Sequence, residues 1–159
     1  MHIASAGSPP RTLVYGYGNP GRQDDGAGVV LVEELTAWAQ MGDRPWLTFD
    51  CNYQLNVEDA LAAAEQDVVI FADASCDQRE GFRFRRLRPR PARSFSTHAM
   101  SPESVVALSR ELYGARPAAY LLTVRGYAWE PNGLLTPEAR TNVEAAAAFM
   151  ARWLARTLS

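Results

Sequence analysis

The sequence contains no lysine, and all 16 of its basic residues are arginine. We attribute the missing lysine to genomic composition rather than to function. The 18 acidic residues bring the formal net charge to −2, so the chain lacks the excess positive charge that is typical of nucleic-acid-binding proteins. The charge balance therefore gives no support to a nucleic-acid partner.

Cysteine is also scarce, and long apolar segments are absent. Cys51 and Cys76 are too few to make a disulfide framework. No apolar run approaches the ~18 residues that a membrane span needs, and residues 1–10 lack the apolar core of a signal peptide. We therefore expect a soluble, cytoplasmic, monomeric protein with no membrane partner. The 159 residues predict a single domain over 11–159, preceded by a flexible leader over 1–10.

The stretch from residue 12 to residue 35 organises the rest of the chain. A short apolar run predicts a buried strand, and a glycine-rich loop follows it. Two adjacent carboxylates, Asp24 and Asp25, then precede a helical apolar pattern. In α/β proteins the loop of such a strand–loop–helix unit lies at the carboxyl end of the sheet, where ligands bind.

Two kinds of ligand compete for this loop. Gly16, Gly18 and Gly21 satisfy the G-x-G-x-x-G pattern of a dinucleotide site. However, residues 22–25 separate the third glycine from the helix, and two carboxylates there would repel a pyrophosphate. The ribose-binding acid is expected about 20 residues further on, whereas Asp50 lies 29 residues beyond Gly21. A dinucleotide is therefore disfavoured, and a divalent cation suits the carboxylates better.

The two aspartates also have a purely structural interpretation. Either could cap the following helix, where the helix dipole favours negative charge. We expect one of them to cap and the other to be free for chemistry. Asp24 is the better candidate for a structural role, supporting the loop or the helix start. If it serves only the helix start, loss of its charge is expected to cost less than ~1 kcal/mol.

Apolar periodicity and turn residues predict alternating strands and helices along the chain. The predicted strands cover 12–17, 46–51, 68–72, 82–87 and 118–126. The predicted helices cover 25–40, 57–65 with Asn56 as cap, a segment opened by Ser101, and a segment from Thr136 to about residue 156. Residues 74–81 are too few for a parallel crossover, so the arginine-rich fourth strand is expected to be an antiparallel edge.

Metal-binding side chains gather where the predicted strands end. Asp25 follows the first strand, Asp73 follows the third, and His98 lies in a loop that we expect to return near that edge. Two carboxylates and one imidazole make a first shell for a divalent ion with open positions. Alternatively, Asp73 only ends its strand and His98 is a surface residue. Cys51 and Cys76 are left out, because buried thiols at strand ends are the commoner case.

Four segments carry a resemblance to a known family. They are the glycine-rich loop over 16–28, Phe-Ala-Asp-Ala over 71–74, Ser-Thr-His over 96–98, and Glu-Pro-Asn-Gly-Leu-Leu-Thr-Pro over 130–137. In this order they resemble the motifs of the hydrogenase maturation proteases (peptidase family M52), which process the large subunit of nickel–iron hydrogenases. The resemblance implies a phosphorylase/hydrolase-like α/β fold. This is a three-layer αβα sandwich around a five-stranded, mostly parallel sheet with one antiparallel edge strand.

The resemblance also implies an activity and its residues. Asp25, Asp73 and His98 align with the family's metal-binding and catalytic trio, although members often have Glu where Asp25 stands. The implied reaction removes the C-terminal extension of a hydrogenase large-subunit precursor after nickel insertion. The nickel is expected to belong to that substrate, and another divalent ion could occupy the site. The alternatives are a non-enzymatic nickel-binding chaperone and, less favoured, a dinucleotide-binding module.

Overall fold

A five-stranded sheet forms the centre of the protein. The computed structural model describes residues 7–91 and 100–158. The predicted leader lies partly outside this range, and His98 lies wholly outside it. The strands, in chain order, are β1 (Thr12–Tyr17), β2 (Leu47–Asn52), β3 (Val68–Ser75), β4 (Phe82–Arg86) and β5 (Ala118–Arg125). The helices are α1 (Ala27–Gln40), α2 (Asp59–Ala64), α3 (Pro102–Tyr113) and α4 (Pro137–Thr157).

The strand order β2-β1-β3-β5-β4 confirms the predicted mostly parallel sheet. β1 pairs in parallel with both β2 and β3, and β3 pairs in parallel with β5. β4 pairs antiparallel with β5 at the far edge, as its short connection to β3 predicted. The β4 arginines are exposed, and one of them, Arg85, forms an ion pair with Glu103 at 3.2 Å. The arginine-rich segment is therefore a charged edge strand.

Helices cover both faces of the sheet and complete three layers. One apolar cluster joins α1 and α4 to one face, and it includes Val14, Leu31 and Met150. A second cluster lies on the opposite face, with Tyr15, Phe71 and Val105 among its members. Neighbouring β1 residues thus contribute to opposite clusters, because side chains alternate along a strand. The continuous apolar run in β3 reflects burial on both faces.

The cap-plus-proline starts of two helices are confirmed. The Ser101 hydroxyl accepts a hydrogen bond from the Ser104 N–H at 3.1 Å, and the Thr136 hydroxyl accepts one from the Ala139 N–H at 3.2 Å. Each cap precedes a proline in the first turn, where a missing N–H costs nothing. Local sequence therefore determines where α3 and α4 begin.

Four local predictions were wrong. The second helix does not start at residue 57 with Asn56 as its cap, because α2 begins at Asp59 after Glu58 and no side chain caps it. The first helix does not start at residue 25, because Gln23–Gly26 form a 3-10 turn and α1 begins at Ala27. β3 does not end before Asp73 but continues to Ser75, since β5 pairs with it along its whole length. Cys51 and Cys76 are free, as expected, but both are exposed rather than buried.

None of the helices in the described parts of the chain is long and apolar enough to cross a membrane.

Gly28 shows why the sheet and α1 can approach so closely. A Cβ at this position would collide with the backbone carbonyl of Ala72 in β3, and the Tyr17 carbonyl oxygen would lie 3.1 Å away. Both neighbours are strand backbone and cannot yield as a flexible side chain would. The absent side chain therefore sets the distance between the first helix and the two central strands.

We predict that Gly28→Ala destabilises the protein by about 2–3 kcal/mol, because one methyl group must push α1 away from the sheet. Urea unfolding measures this change. Gly21→Ala is the matched control, since its new Cβ would meet only the flexible Asn19 side chain, at 3.1 Å. Equal stability of the two variants would show that the close approach at Gly28 is not a packing constraint.

Candidate functional site

Two of the three predicted ligands lie at the same end of the sheet. Asp25 belongs to the 3-10 turn that follows β1, and Asp73 lies near the carboxyl end of β3. β1 and β3 are parallel neighbours, with Gly16 opposite Ala72. The charge of Asp25 raises the pKa of Asp73, so the two carboxylates are near enough for their charges to interact.

The surroundings of Asp73 disfavour the ionised form of its carboxyl group. Burial is the largest cause that raises the pKa of Asp73, from 3.8 to about 6, and the neighbouring Asp25 charge adds to the rise. The Ala74 N–H donates to the Asp73 carboxylate at 2.8 Å and works in the opposite direction. At neutral pH the group is therefore ionised, but at a cost that a nearby cation would relieve.

Tyr17 is a neighbour of Asp73 that the sequence did not single out. Its hydroxyl interacts with the Asp73 carboxylate and lowers the pKa of that group. In return, burial first and the Asp73 charge second raise the pKa of Tyr17 far above its ordinary value. Tyr17 therefore stays protonated and stabilises Asp73 in its ionised form.

Asp25 is oriented by the loop that precedes it. Its carboxylate accepts a hydrogen bond from the Asn19 N–H at 2.8 Å. Gly18, the residue before Asn19, has a φ of +135°, and a Cβ there would collide with the Asp25 carbonyl oxygen. The glycine thus allows the loop to fold back on the turn that carries Asp25.

The same glycines weigh against a dinucleotide. At Gly16 and Gly18, the first two glycines of the G-x-G-x-x-G pattern, the space that a side chain would fill is occupied by the protein's own carbonyl oxygens, those of Gly28 and Asp25. In a dinucleotide site that space serves the pyrophosphate. Close packing of the chain on itself therefore accounts for two of the three glycines in the pattern, whereas a Cβ at Gly21 would meet only the Asn19 side chain.

Asp24 has a different role from its neighbour. It is 0% exposed, and its carboxylate accepts four hydrogen bonds. One oxygen accepts from the Thr136 N–H at 2.8 Å, and the other accepts from the Tyr127 N–H at 2.7 Å, the Ala128 N–H at 3.1 Å and the Thr136 hydroxyl at 2.8 Å. Burial alone would raise the pKa of Asp24, but these donors outweigh it and hold the pKa below its ordinary value.

These bonds tie the loop before α4 to the turn that carries Asp25. Two further contacts join the same segments: the Glu130 N–H donates to the Gln23 side chain at 2.9 Å, and Arg22 donates to the Trp129 carbonyl at 3.4 Å. Thr136 also caps α4, so one hydroxyl links that helix to Asp24. The interpretation of either aspartate as a helix cap is wrong, since no side chain caps the 3-10 turn or α1.

His98 lies outside the described residues, so its position relative to the two carboxylates stays a prediction. Within residues 7–91 and 100–158, no three His, Cys, Asp or Glu side chains are grouped as a metal site. The described residues include two of the three predicted ligands, Asp25 and Asp73, and their binding of a metal stays a prediction. Tyr17 was missed. A structural role was predicted for Asp24, but its partners in the segment before α4 were not, because these contacts join segments far apart in the sequence.

Several solved structures are similar to this protein over most of its length. The [NiFe] hydrogenase maturation protease HycI from Thermococcus kodakarensis superposes with a TM-score of 0.72 at 21% identity, covering 95% of this chain and 96% of that one. The hydrogenase maturating endopeptidase HybD from E. coli gives 0.68 at 22% identity, with 92% and 93% covered. A hydrogenase 2 maturation peptidase from a Thaumarchaeota archaeon gives 0.66 at 21% identity, with 91% and 97% covered.

The protein therefore has the fold of the hydrogenase maturation proteases, over nearly its whole length. This confirms the fold expected from the four sequence motifs, including the antiparallel edge strand. No protein-family model and no curated protein sequence matches the chain. At these identities the likeness establishes the architecture, and the activity is argued separately below.

We predict that Asp24→Asn destabilises the fold by about 2–4 kcal/mol, because the substitution places an amide N–H₂ against buried donors. This is more than the loss of a charge at a helix start would cost. Urea unfolding measures this change. Asp25→Asn is the control, since its carboxylate accepts one backbone N–H and should change stability by about 1 kcal/mol or less.

The Asp24 contribution should also depend on pH. Its pKa is lower in the folded protein than its ordinary value of 3.8, so the ionised group stabilises the fold at neutral pH. That stabilisation is lost as the pH falls below 3.8 towards the lowered pKa. A stability difference between the wild type and Asp24→Asn that stays constant down to complete acid unfolding would contradict this assignment.

Carboxyl-carbon NMR of the metal-free protein should show Asp73 titrating near pH 6. Asp25→Asn should lower this pKa by removing the like charge, and Tyr17→Phe should raise it further by removing the stabilising hydroxyl. The folded pKa lies above 3.8, so ionised Asp73 weakens the fold above about pH 6, and this penalty disappears as the pH falls towards 3.8. An Asp73 pKa that does not move in Asp25→Asn would mean that the two carboxylates do not interact.

Proposed function

We propose that this protein is an endopeptidase that removes the C-terminal extension from the large-subunit precursor of a nickel–iron hydrogenase. In this proposal the cleavage follows nickel insertion, and Asp25, Asp73 and His98 engage the nickel that the precursor carries. The fold shared with the maturation proteases supports the general activity. The proposal also keeps the cytoplasmic location and monomeric state expected from the sequence.

The observation that carries the proposal is the pair of interacting carboxylates at the carboxyl end of β1 and β3. Burial and the charge of Asp25 both raise the pKa of Asp73, so both make its ionised form less favourable. A divalent cation between them would offset both effects, because each carboxylate would then face an opposite charge. Oxygen ligands from two acids, with imidazole from His98, form a donor set that nickel accepts.

The described residues account for how such a pair could act on a peptide bond. The Asn19 N–H orients Asp25, and the Tyr17 hydroxyl holds Asp73 in its charged form. Engagement of the substrate's nickel would then position the adjacent scissile bond, so that attack by water becomes effectively intramolecular. The metal would supply Lewis acidity toward the carbonyl or the attacking water.

Incubation with a nickel-loaded large-subunit precursor tests the proposal directly, with mass spectrometry of the product. The wild type should shorten the precursor at its C-terminal end. Asp25→Asn, Asp73→Asn and His98→Ala should each slow the cleavage by roughly two orders of magnitude, because loss of a ligand misplaces the scissile bond. Asp77→Asn is the matched control: this exposed acid follows β3 at the same end of the sheet, and its loss should leave the rate within about twofold.

The other outcomes separate the alternatives. A precursor that is bound tightly but never shortened identifies a nickel-binding chaperone. Wild-type cleavage by a correctly folded His98→Ala variant removes that histidine from the site. An active Asp25→Asn beside an inactive but stably folded Asp24→Asn would reverse the roles assigned to the two aspartates. Fluorescence titration with a nicotinamide dinucleotide tests the remaining alternative and should show no saturable binding.

A further inference from the structure

β2 is an edge strand with an unpaired side. In β1, the Thr12 N–H donates to the Trp46 carbonyl at 2.9 Å, and the Gly18 N–H donates to the Asn52 carbonyl at 3.1 Å. The backbone groups of the even-numbered β2 residues therefore face β1, and those of Phe49 and Cys51 point outward. Within the described parts of the chain, no strand pairs with this outer side.

A groove runs beside this edge, between β2 and α1. Its larger part has a volume of about 370 Å³. The α1 wall includes Glu33, Thr36 and Ala37, and the strand wall includes Phe49, Asp50 and Cys51. β2 has six residues, which corresponds to roughly 20 Å of extended chain. The groove thus offers an extended peptide both a strand to pair with and a cavity for its side chains.

The groove leads to the candidate site. A second cavity of about 210 Å³ is also lined by Cys51, so the two cavities adjoin at that residue. Its other walls include Gly18 and Pro20, the residues on either side of Asn19. The Asn19 N–H donates to Asp25 at 2.8 Å, so the far end of the groove abuts the loop that orients a predicted nickel ligand. A peptide in the groove would point at the proposed reaction centre.

The acidic residues of the groove indicate the charge of the peptide that it would bind. Glu33 and Asp50 line the groove and are exposed, and neither arginine nor histidine is among the lining residues. Asp25 and Asp73 extend the negative charge beyond the end of the groove. This arrangement favours a segment that carries at least one basic side chain and disfavours an acidic one.

We propose that the groove along β2 binds an extended, basic segment of the large-subunit precursor as an added sixth strand, leading its C-terminal extension to Asp25 and Asp73. The inference rests on the proposed function for the identity of the occupant. Backbone pairing with Phe49 and Cys51 supplies affinity, and α1 supplies the side-chain contacts.

The free protein covers part of this edge with its own side chain. The Asp50 carboxylate accepts a hydrogen bond from the Cys51 N–H at 2.8 Å. A charged residue on an edge strand discourages pairing with unintended strands. A basic substrate segment could replace this contact, since Asp50 would then pair with the substrate's positive charge while Cys51 pairs with its backbone.

Hydrogen exchange detects this mode of binding independently of cleavage. In the free protein, the amide of Phe49 should exchange rapidly at every protein concentration. Saturating nickel-loaded precursor should slow exchange at Phe49 and Cys51 by about tenfold or more, because both amides become paired. Protection of the Phe49 amide that is already present in the free protein, or that rises with the protein's own concentration, would show that another segment or a second copy covers the edge, and would overturn the proposal.

Two substitutions test the groove through kinetics. Cys51→Pro removes an outward N–H without breaking the β1 ladder, as edge strands permit. The control is Arg83→Ala, at an exposed position of β4 on the opposite edge of the sheet. Ala37→Trp fills the groove from an exposed α1 position. Cys51→Pro and Ala37→Trp should each raise KM about tenfold with kcat changed much less, and Arg83→Ala should stay within about twofold. Thermal unfolding verifies that all three variants are folded.

The experiments distinguish failure of the groove assignment from failure of the proposed protease activity. Cleavage by the wild type without protection at β2, or with unchanged KM in Cys51→Pro and Ala37→Trp, overturns the groove assignment and leaves the protease intact. Protection at β2 without cleavage overturns the protease and supports the groove. A precursor that is neither bound nor cleaved overturns both.

Discussion

The buried carboxylate of Asp24 is the interaction on which the site depends. It is fully enclosed and accepts four hydrogen bonds from the segment that leads into α4. A buried charge is tolerable only when donors surround it, and the lowered pKa shows that they do. The most distant of these bonds joins residues that are 112 positions apart in the chain, so the Asp24 carboxylate connects two segments that are far apart in the sequence. Asp25 follows Asp24 directly, so its placement depends on the same hydrogen bonds.

Asp24 and Asp73 lie in opposite electrostatic environments. Asp24 has more donors than its burial requires and is satisfied without any ligand. Asp73 is ionised against burial and against the charge of Asp25, with Tyr17 and the Ala74 N–H as partial compensation. The first arrangement stabilises the fold, whereas the second leaves a demand for positive charge at the carboxyl end of the sheet. This contrast is the physical basis for treating Asp24 as structural and the Asp25–Asp73 pair as functional.

The two edges of the sheet differ in a way that agrees with this division. β4 carries exposed arginines, an ion pair to Glu103, and aromatic packing of Phe84 on Tyr120 and Trp153, so its surroundings are well occupied. β2 lies next to β1 and ends beside the glycine-rich loop, with a groove between it and α1. An extended substrate segment added at β2 would reach the predicted ligands without crossing the sheet. The connection between edge and site follows from the strand order and from the cavities that adjoin at Cys51.

The sequence by itself determined the elements, most of their ends, and the residues worth testing. Apolar runs located the strands, the cap-plus-proline signals at Ser101 and Thr136 located two helix starts, and the short link before β4 determined its direction. These features depend on neighbours within a few residues. The tertiary structure alone decided that Asp24 anchors a distant loop, that Tyr17 stabilises Asp73, that β3 continues to Ser75, and that Cys51 is exposed. Each of these depends on contacts between segments far apart in the chain, which no local pattern encodes, because hydrogen bonds and burial are decided by what the fold brings together.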